Sequence, residues 1–376
     1  MEALVLSRRG LSISIAVLLL CACDNWESPI TTPPLRWSAA SIQQGTVRAC
    51  GGSRIGQAQC GIAFRSTGDR FRTSPSGWTP ADLQSAYNLP SLTRGNGQIV
   101  AVVDAYDNPD VATDLAEYRS VFSLPKARFS KYNQNGKMRD YPKGDKGWGV
   151  EIDNDVEMVS ASCPRCEVYL VEANSNSWSD IEAAEAEAIT LGAHIVSNSF
   201  EGTGASESYW DTPGITYVAS SGNPFVDPAT FVNVVAVGGT VLSKGGGTRG
   251  WTESVWSNAG GGCSSLDEQR PSWQRGRYTR SCAYRVGNDV SAVADGVAIY
   301  DSYGSYGWVS IAGTQIGAPF LSGVFALAGN ARKQDGGRTF WESSHHKYLY
   351  EVEDKGRGRR FSYVAGWGTP NGIDAF

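Results

Sequence analysis

The chain has 376 residues, of which 41% are hydrophobic and 19% are charged, and its formal net charge is −5 at neutral pH. This composition excludes a disordered chain, and the length is enough to bury a large core in one or two domains. A mildly acidic protein binds nucleic acid poorly, because contacts to phosphates need a surplus of positive charge. We therefore expect a globular protein without a nucleic-acid partner.

Residues 1–22 have the layout of a secretory signal peptide. Two arginines precede an apolar run at residues 10–20, and a small residue, Ala22, follows it. The apolar run is too short to cross a bilayer as a helix. The pattern predicts export.

The letters "LCAC" at residues 20–23 resemble a bacterial lipobox. In that interpretation the signal peptide is removed before Cys23, and this cysteine carries lipid. Plain cleavage near Ala22 is the alternative. We expect either a protein of the bacterial cell envelope, lipid-anchored or periplasmic, or a secreted one, with membrane contact only through the lipid.

Eight cysteines are present, and six remain if Cys21 leaves with the signal peptide and Cys23 is lipidated. An even number in an exported protein favours disulfides. The "CPRC" motif at residues 163–166 has no second cysteine or histidine pair at zinc-ligand spacing, which favours a structural disulfide over a metal site. Nearest-neighbour pairing is one of several open connectivities, and it would join Cys50 with Cys60, Cys163 with Cys166, and Cys263 with Cys282.

Residues 23–76 are rich in Ser, Pro, Gly and Arg and show little periodicity. This composition predicts an N-terminal tether or short pro-segment, pinned by a loop between Cys50 and Cys60. A compact domain over 77–376 then begins with "GWTPADLQSAY", in which Thr79 is the expected helix N-cap and Pro80 the first helical residue.

Apolar runs and helical patterns alternate along this domain, which predicts an α/β fold with a mostly parallel sheet and right-handed crossovers. Short continuous apolar runs are typical of strands covered on both faces. The predicted strands are 97–107, 168–173, 194–200, 215–223 and 231–240, and the predicted helices are 109–122, 148–161, 179–191 and 318–330.

The chemistry of an open parallel sheet collects beyond the carboxyl ends of its strands. Here those positions are Asp104 and the residues 197–199, 221–223 and 313–315.

Two acids, Glu151 and Asp155, stand four residues apart in a predicted helix and so share one face of it. Carboxyl groups in such a pair can share a proton, with one pKa raised. A solvated acidic helix face is the alternative.

Several segments, in order, resemble the sedolisins, the serine-carboxyl peptidases. The likeness runs from about Gly77 to the C-terminus. The resemblance implies a three-layer subtilisin-like fold, serine-type endopeptidase activity and a Ser-Glu-Asp triad. The segments that carry it are "GQIVAVVDAYDNPD", "GWGVEIDNDVEMVSASCPRCEVYLVEANSNS", "IVSNSF", "YVASSGN", "VNVVAVGGT", "NDVSAVADGVAIYDSYG" and "GTQIGAPFLSGVFALAGN".

The resemblance implies a role for four site residues. Glu151 matches the family's general base, and Asp155 matches its partner. Asn223 stands where the family has its oxyanion aspartate, and a carboxamide N–H can also donate to an oxyanion. Asp104 occupies the place of the aspartate of the subtilisin triad, where a catalytic role and a turn-ordering role are both open.

Position 315 departs from the family pattern. The family's "Gly-Thr-Ser" is Gly313-Thr314-Gln315 here, and an amide has no nucleophilic hydroxyl. We expect Thr314 to point away from the site and Ser322 to lie in the core. Gln315 is then expected to fill the nucleophile's place and to hydrogen-bond toward Glu151.

The resemblance implies no required cofactor. Family members commonly bind calcium near the C-terminus, and the matching stretch here offers only Glu351 and Val352, a weak remnant of that site.

Three hypotheses follow. The first is a catalytically inactive sedolisin homologue, a pseudopeptidase, that binds an extended peptide or a protein. The second is an active endopeptidase with another nucleophile, and the third is a structural envelope lipoprotein.

Overall fold

The computed structural model describes residues 47–376 except residue 53 and the residues 66–71, 267–268, 305–306 and 355–359. The predicted signal peptide and the lipidation site Cys23 lie outside the described residues. Ser41–Phe376 form one compact unit.

Six α-helices occur in the described part of the chain. They are α1 (Pro80–Ala86), α2 (Val111–Val121), α3 (Lys146–Ser162), α4 (Trp178–Thr190), α5 (Gly317–Ala328) and α6 (Arg338–Trp341).

The strands follow the same chain order. The first nine are β1 (Val47–Arg48), β2 (Gln59–Cys60), β3 (Ala63–Phe64), β4 (Ile99–Ala105), β5 (Arg128–Asn133), β6 (Glu167–Ala173), β7 (Ile195–Asn198), β8 (Phe200–Glu201) and β9 (Thr216–Ser220). The others are β10 (Val234–Lys244), β11 (Trp251–Val255), β12 (Gly262–Cys263), β13 (Val286–Gly287), β14 (Val290–Val293), β15 (Asp295–Asp301), β16 (Gly307–Ala312), β17 (Leu349–Tyr350) and β18 (Thr369–Pro370).

The central sheet has eight strands in the order β11-β10-β9-β7-β4-β6-β5, with β14 paired to β10 beside this path. Every pairing is parallel except that of β10 with β11. Helices α3 and α5 pack on each other and on β4, while α4 packs on β4 and β6. The predicted three-layer α/β fold with a mostly parallel sheet is confirmed.

All the predicted helices and strands are present, with shifted ends. Thr79 caps α1 in a capping box, because its hydroxyl accepts from Asp82 N at 3.3 Å and its own N–H donates to the Asp82 carboxylate at 3.1 Å. Strand β5 has no counterpart in the sequence prediction. Its residues, RFSKYN, alternate poorly, and the strand lies at the edge of the sheet.

Residues 47–64 belong to the fold, unlike the tether expected over 23–76. Strand β3 pairs with both β1 and β16, which places it in a second, four-stranded sheet. Strand β2 pairs with β8. The domain therefore includes the described residues within 47–64, and it does not begin near residue 77.

Each of the three nearest-neighbour cysteine pairs forms a disulfide: Cys50–Cys60, Cys163–Cys166 and Cys263–Cys282. Cys163 and Cys166 are both buried, in agreement with a structural role.

Helix α5 is apolar and buried along all but its last residue, as the sequence predicts. It ends where Gly329 takes a left-handed conformation with φ of 74°, which a residue with a side chain adopts at a cost. Within the described residues, neither α5 nor any other helix has the length and apolarity that a membrane crossing requires.

A buried ion pair joins the central sheet to the C-terminal part. The Arg285 guanidinium donates to the Asp289 carboxylate at 2.7 Å and to the carbonyl oxygens of Phe231 and Val234, at 3.0 and 2.8 Å. Asp289 also accepts from Trp341 Nε1 at 2.7 Å. Both charged side chains of the pair are fully buried.

We expect Arg285→Leu to lower the free energy of unfolding by about 3–5 kcal/mol, because it leaves the Asp289 charge buried without its partner. Urea unfolding measures this loss. Arg338→Leu breaks the exposed Arg338–Asp335 pair and is the control, with an expected change within about 0.5 kcal/mol. Equal losses of unfolding free energy in the two variants would contradict the proposed contribution of the buried pair to stability.

Candidate active site

Three parts of the fold meet at the predicted site. Strand β4 ends at its carboxyl edge with Asp104, helix α3 carries Glu151 and Asp155, and a single 3₁₀ turn (Thr314–Ile316) places Gln315 just before α5. Because α3 and α5 pack on each other and on β4, residues that are distant in sequence are brought together.

Glu151 and Asp155 lie one turn apart on α3, and both are fully buried. Burial raises the pKa of the Glu151 carboxyl well above its usual range, and the neighbouring Asp155 raises it further. Burial also raises the pKa of Asp155, although Asn154 Nδ2 donates to it at 2.8 Å. A solvated acidic face is excluded, and burial favours the protonated form of the pair.

Asp104 joins this acidic group. It is fully buried, and neither of its carboxyl oxygens has a hydrogen-bond partner among the described residues. Burial raises its pKa well above the usual range, and Asp155 and Glu151 add to the effect. Asp104 is therefore electrostatically coupled to the α3 pair.

Gln315 is 2% exposed and is held through its backbone. Its carbonyl oxygen accepts from Asn154 Nδ2 at 3.1 Å and from the Ser199 hydroxyl at 3.3 Å. Its side-chain amide donates to the Glu201 carboxylate at 3.5 Å. The expected hydrogen bond toward Glu151 is therefore wrong, since the amide turns to a different acid.

Glu201 is a site residue that the sequence analysis missed. It is 3% exposed, and its carboxylate accepts from the backbone N–H of Asn223 at 3.1 Å as well as from Gln315. Burial raises its pKa to about 7, although the nearby Arg48 opposes this rise. A signal was available, because Glu201 directly follows the predicted strand 194–200.

Asn223 lies in the turn after β9, as the oxyanion assignment requires. The residue is exposed, and its backbone N–H contacts the same carboxylate as Gln315 does. Asn223 and Gln315 thus both contact the Glu201 carboxylate, which lies between them.

The two nearest candidate replacement hydroxyls are both engaged. Thr314 Oγ1 accepts from the backbone N–H of Gly222 at 3.1 Å. Ser322 is fully buried and donates to the carbonyl oxygen of Ala318 at 2.9 Å. Ser322 lies in the core as predicted, whereas Thr314 bonds to the turn that carries Asn223 and so does not point away from it.

The site is covered by the chain's own N-terminal segment. We call residues 57–62 the strap. An added Cβ at Gly61 would lie 2.0 Å from Gln315 Nε2, so the strap touches the nucleophile position. The backbone N–H groups of Ile62 and Gly61 face the Glu151 carboxyl group and oppose the rise of its pKa.

One group of acids in the described chain could hold a cation. Oxygen atoms of the buried Asp114, Asp153 and Asp301 all lie within 4.8 Å of one another. Glu351 and Val352, the predicted calcium remnant, are not part of this group, and Glu351 is exposed.

Two known proteins are similar to this chain in sequence. No family model matches the chain. Kumamolisin of Bacillus sp. (strain MN-32) is 27% identical over 67% of this chain and 52% of its own length. Sedolisin of Pseudomonas sp. (strain 101) is 27% identical over 79% of this chain and 59% of its own length. The chain thus spans little more than half of each of these relatives.

A solved structure of Pseudomonas sedolisin, a serine-carboxyl proteinase complexed with two molecules of pseudo-iodotyrostatin, superimposes with a TM-score of 0.65 at 22% identity. The match covers 79% of this chain and 96% of that one. By sequence and by fold, the chain is similar to the sedolisins. The structure of a protein called S41 Psychrophilic Protease, with a TM-score of 0.55 at 16% identity over 79% of this chain and 98% of that one, supports the fold alone.

The buried acids of this site predict greater stability in acid than at neutral pH. A carboxyl group with a raised pKa stabilises the fold below its unfolded pKa, and this stability is lost as the pH rises through its folded pKa. For Glu201 the window runs from 4.5 to about 7. The loss over that window is about 3 kcal/mol at most, at 1.36 kcal/mol per pKa unit.

Urea unfolding at pH 4.5, 5.5 and 7 measures this trend, and Glu201→Gln is expected to flatten it. Glu342→Gln, at a half-exposed side chain, serves as the control. A wild-type protein that gains stability between pH 4.5 and 7 would refute the prediction.

Proposed function

We propose that this sedolisin-like protein binds an extended peptide or protein segment at the Glu151–Asp155 site without cleaving it. The proposal includes export, which three disulfides support because they persist in oxidising compartments. The observation that carries the proposal concerns the general base.

No hydroxyl or other side chain is hydrogen-bonded to the Glu151 carboxyl group among the described residues, and the backbone N–H groups of Gly61 and Ile62 face it instead. A general base must reach the proton that it removes, directly or through one water. A serine nucleophile likewise needs a base beside its hydroxyl. Here the position that would present the hydroxyl presents the amide of Gln315, and this amide faces Glu201.

The hydroxyls of Thr314, Ser322 and Ser199 do not replace the missing nucleophile. Thr314 and Ser322 are bonded to backbone groups, and the Ser199 hydroxyl donates to the Gln315 carbonyl. In a related serine peptidase, loss of the nucleophile alone lowers kcat on the order of a millionfold. A loss of that size supports binding without turnover.

Peptide binding is supported by what surrounds the acids. Beside the acids, Glu201 lies in a short strand, β8, that accepts another strand, and addition of a strand is a common mode of peptide recognition. In this protein one such pairing is already made, by β2 on β8.

We expect the wild-type protein to hydrolyse a quenched fluorescent peptide library between pH 3 and 8 no faster than the Gln315→Ala variant does. Gln315→Ser places a hydroxyl at the position that matches the family's nucleophile and is expected to gain cleavage. Mass spectrometry should follow the protein as well as the library, because the strap lies against residue 315.

Glu151→Gln tests whether the wild-type protein is itself an active peptidase. Wild-type hydrolysis that Glu151→Gln abolishes would show a working peptidase with another nucleophile and would overturn the proposal. Hydrolysis that persists in Glu151→Gln would instead indicate a contaminating protease.

A further inference from the structure

A second group of buried acids lies on the far side of α3 from Glu151. Residues two apart in a helix point to nearly opposite faces, so Asp153 points away from Glu151, and Glu157 lies one turn after Asp153 on the same face. Helix α3 also packs on α2 and on β15. These two elements carry Asp114 and Asp301, and the three aspartates meet between them.

We call Asp114, Asp153 and Asp301 the aspartate cluster, and it has the dimensions of a cation site. Each residue is 0% exposed, and one carboxylate oxygen of each lies within 4.8 Å of the others. Calcium takes oxygen ligands at about 2.3–2.6 Å, so two oxygens on one ion are at most about 5 Å apart. Three oxygens at these separations can therefore bind a single ion.

Three buried carboxylate oxygens at this place have no hydrogen-bond partner among the described residues. They are Asp153 Oδ1, Asp301 Oδ2 and Glu157 Oε1. An unpaired polar atom in the interior costs free energy, which a bound ligand can offset. Glu157 is 0% exposed and is not part of the aspartate cluster, so its unpaired oxygen is a separate indication of a positively charged ligand.

Glu157 faces the aspartate cluster. Its Oε2 accepts from the backbone N–H of Tyr300 at 3.0 Å, and Tyr300 directly precedes Asp301. Burial raises the pKa of the Asp153 carboxyl well above its usual range, and nearby carboxylates, that of Glu157 among them, raise it further. None of the ion pairs among the described residues includes any of these four acids. A bound cation would compensate their mutual repulsion.

Neighbouring donors hold the other oxygens of the cluster. Ser302 donates to Asp114 through its backbone N–H at 3.0 Å and through its hydroxyl at 2.6 Å. Asn108 Nδ2 donates to Asp153 Oδ2 at 2.8 Å. Such bonds orient metal-binding carboxylates, and here they leave Asp153 Oδ1 and Asp301 Oδ2 available to an ion.

The ligand set selects a hard cation. Every member of the cluster is a carboxylate, without a histidine or a cysteine. Zinc and copper prefer nitrogen and sulfur ligands, whereas calcium and magnesium prefer oxygen. Carboxylates from three separate elements suit calcium, which accepts irregular geometry, better than magnesium, which needs a nearly ideal octahedron.

We propose that the aspartate cluster binds one calcium ion, with Glu157 in the shell around it. The ion ties α2 and the end of β15 to α3, the helix that carries Glu151 on its other face. This site is separate from Glu351 and Val352, and it does not depend on the proposed peptide-binding function.

The test uses the full chain after removal of metal with EDTA, with the metal content checked by elemental analysis. Isothermal titration with calcium chloride should show one ion bound per chain. Asp153→Asn keeps the shape of the side chain but removes its charge, and it should weaken calcium binding at least about tenfold. Two controls should bind calcium as the wild-type protein does: Glu185→Gln, at a buried acid outside the cluster, and Glu351→Gln, at the predicted calcium remnant.

Thermal unfolding gives a second readout. A ligand that binds only the native state stabilises it by mass action, so the Tm of the metal-free wild-type protein should rise with the calcium concentration. Asp153→Asn should show a smaller rise at every concentration. Circular dichroism establishes that each variant is folded, and Asp301→Asn replaces Asp153→Asn in both measurements if the latter is not.

Three outcomes would overturn the site. A wild-type protein that neither binds calcium nor gains Tm from it would show that the acids share protons instead. Equal calcium binding by the wild-type protein and Asp153→Asn, or a loss of binding in Glu351→Gln alone, would place the ion elsewhere. Tighter binding of magnesium chloride than of calcium chloride would refute the choice of calcium.

Discussion

The burial of carboxyl groups without matching positive charge is the constraint on which the rest of this structure depends. Asp104, Glu151 and Asp155 are fully buried together, and the partners within reach are amides, hydroxyls and backbone N–H groups. Such groups are tolerated in a low-dielectric interior mainly in their protonated form. The fold thus keeps a buried group of acids close to the turn that carries Gln315.

The strap contributes to the burial of these acids, because it covers much of the site. Gly61 lies against Gln315, since an added Cβ there would meet the Gln315 amide at 2.0 Å. The backbone N–H groups of residues 61 and 62 also face the Glu151 carboxyl group. Cover and electrostatic support therefore come from one segment, and removal of the strap would change both the access to the acids and their pKa values.

Gln315 is held in the fold by both its backbone and its side chain. Its backbone carbonyl keeps the contacts to Asn154 and Ser199 that fix the turn before α5. Its side chain carries no ionisable hydroxyl, and it occupies the space between Glu201 and Gly61. The amide is neutral, so it adds no further charge to a crowded acidic site.

The sequence by itself determined the longer helices and most strands of the central sheet, together with the shared face of Glu151 and Asp155, and it offered the observed disulfide pairs as one of several connectivities. These features depend on short-range patterns: an apolar run at Ile99–Ala105, a four-residue spacing within α3, and cysteines close in the chain. Only the tertiary structure placed Glu201 beside Gln315 and the strap across both. Those contacts join segments far apart in sequence through backbone pairing, which carries little side-chain signal, so composition and periodicity did not indicate them.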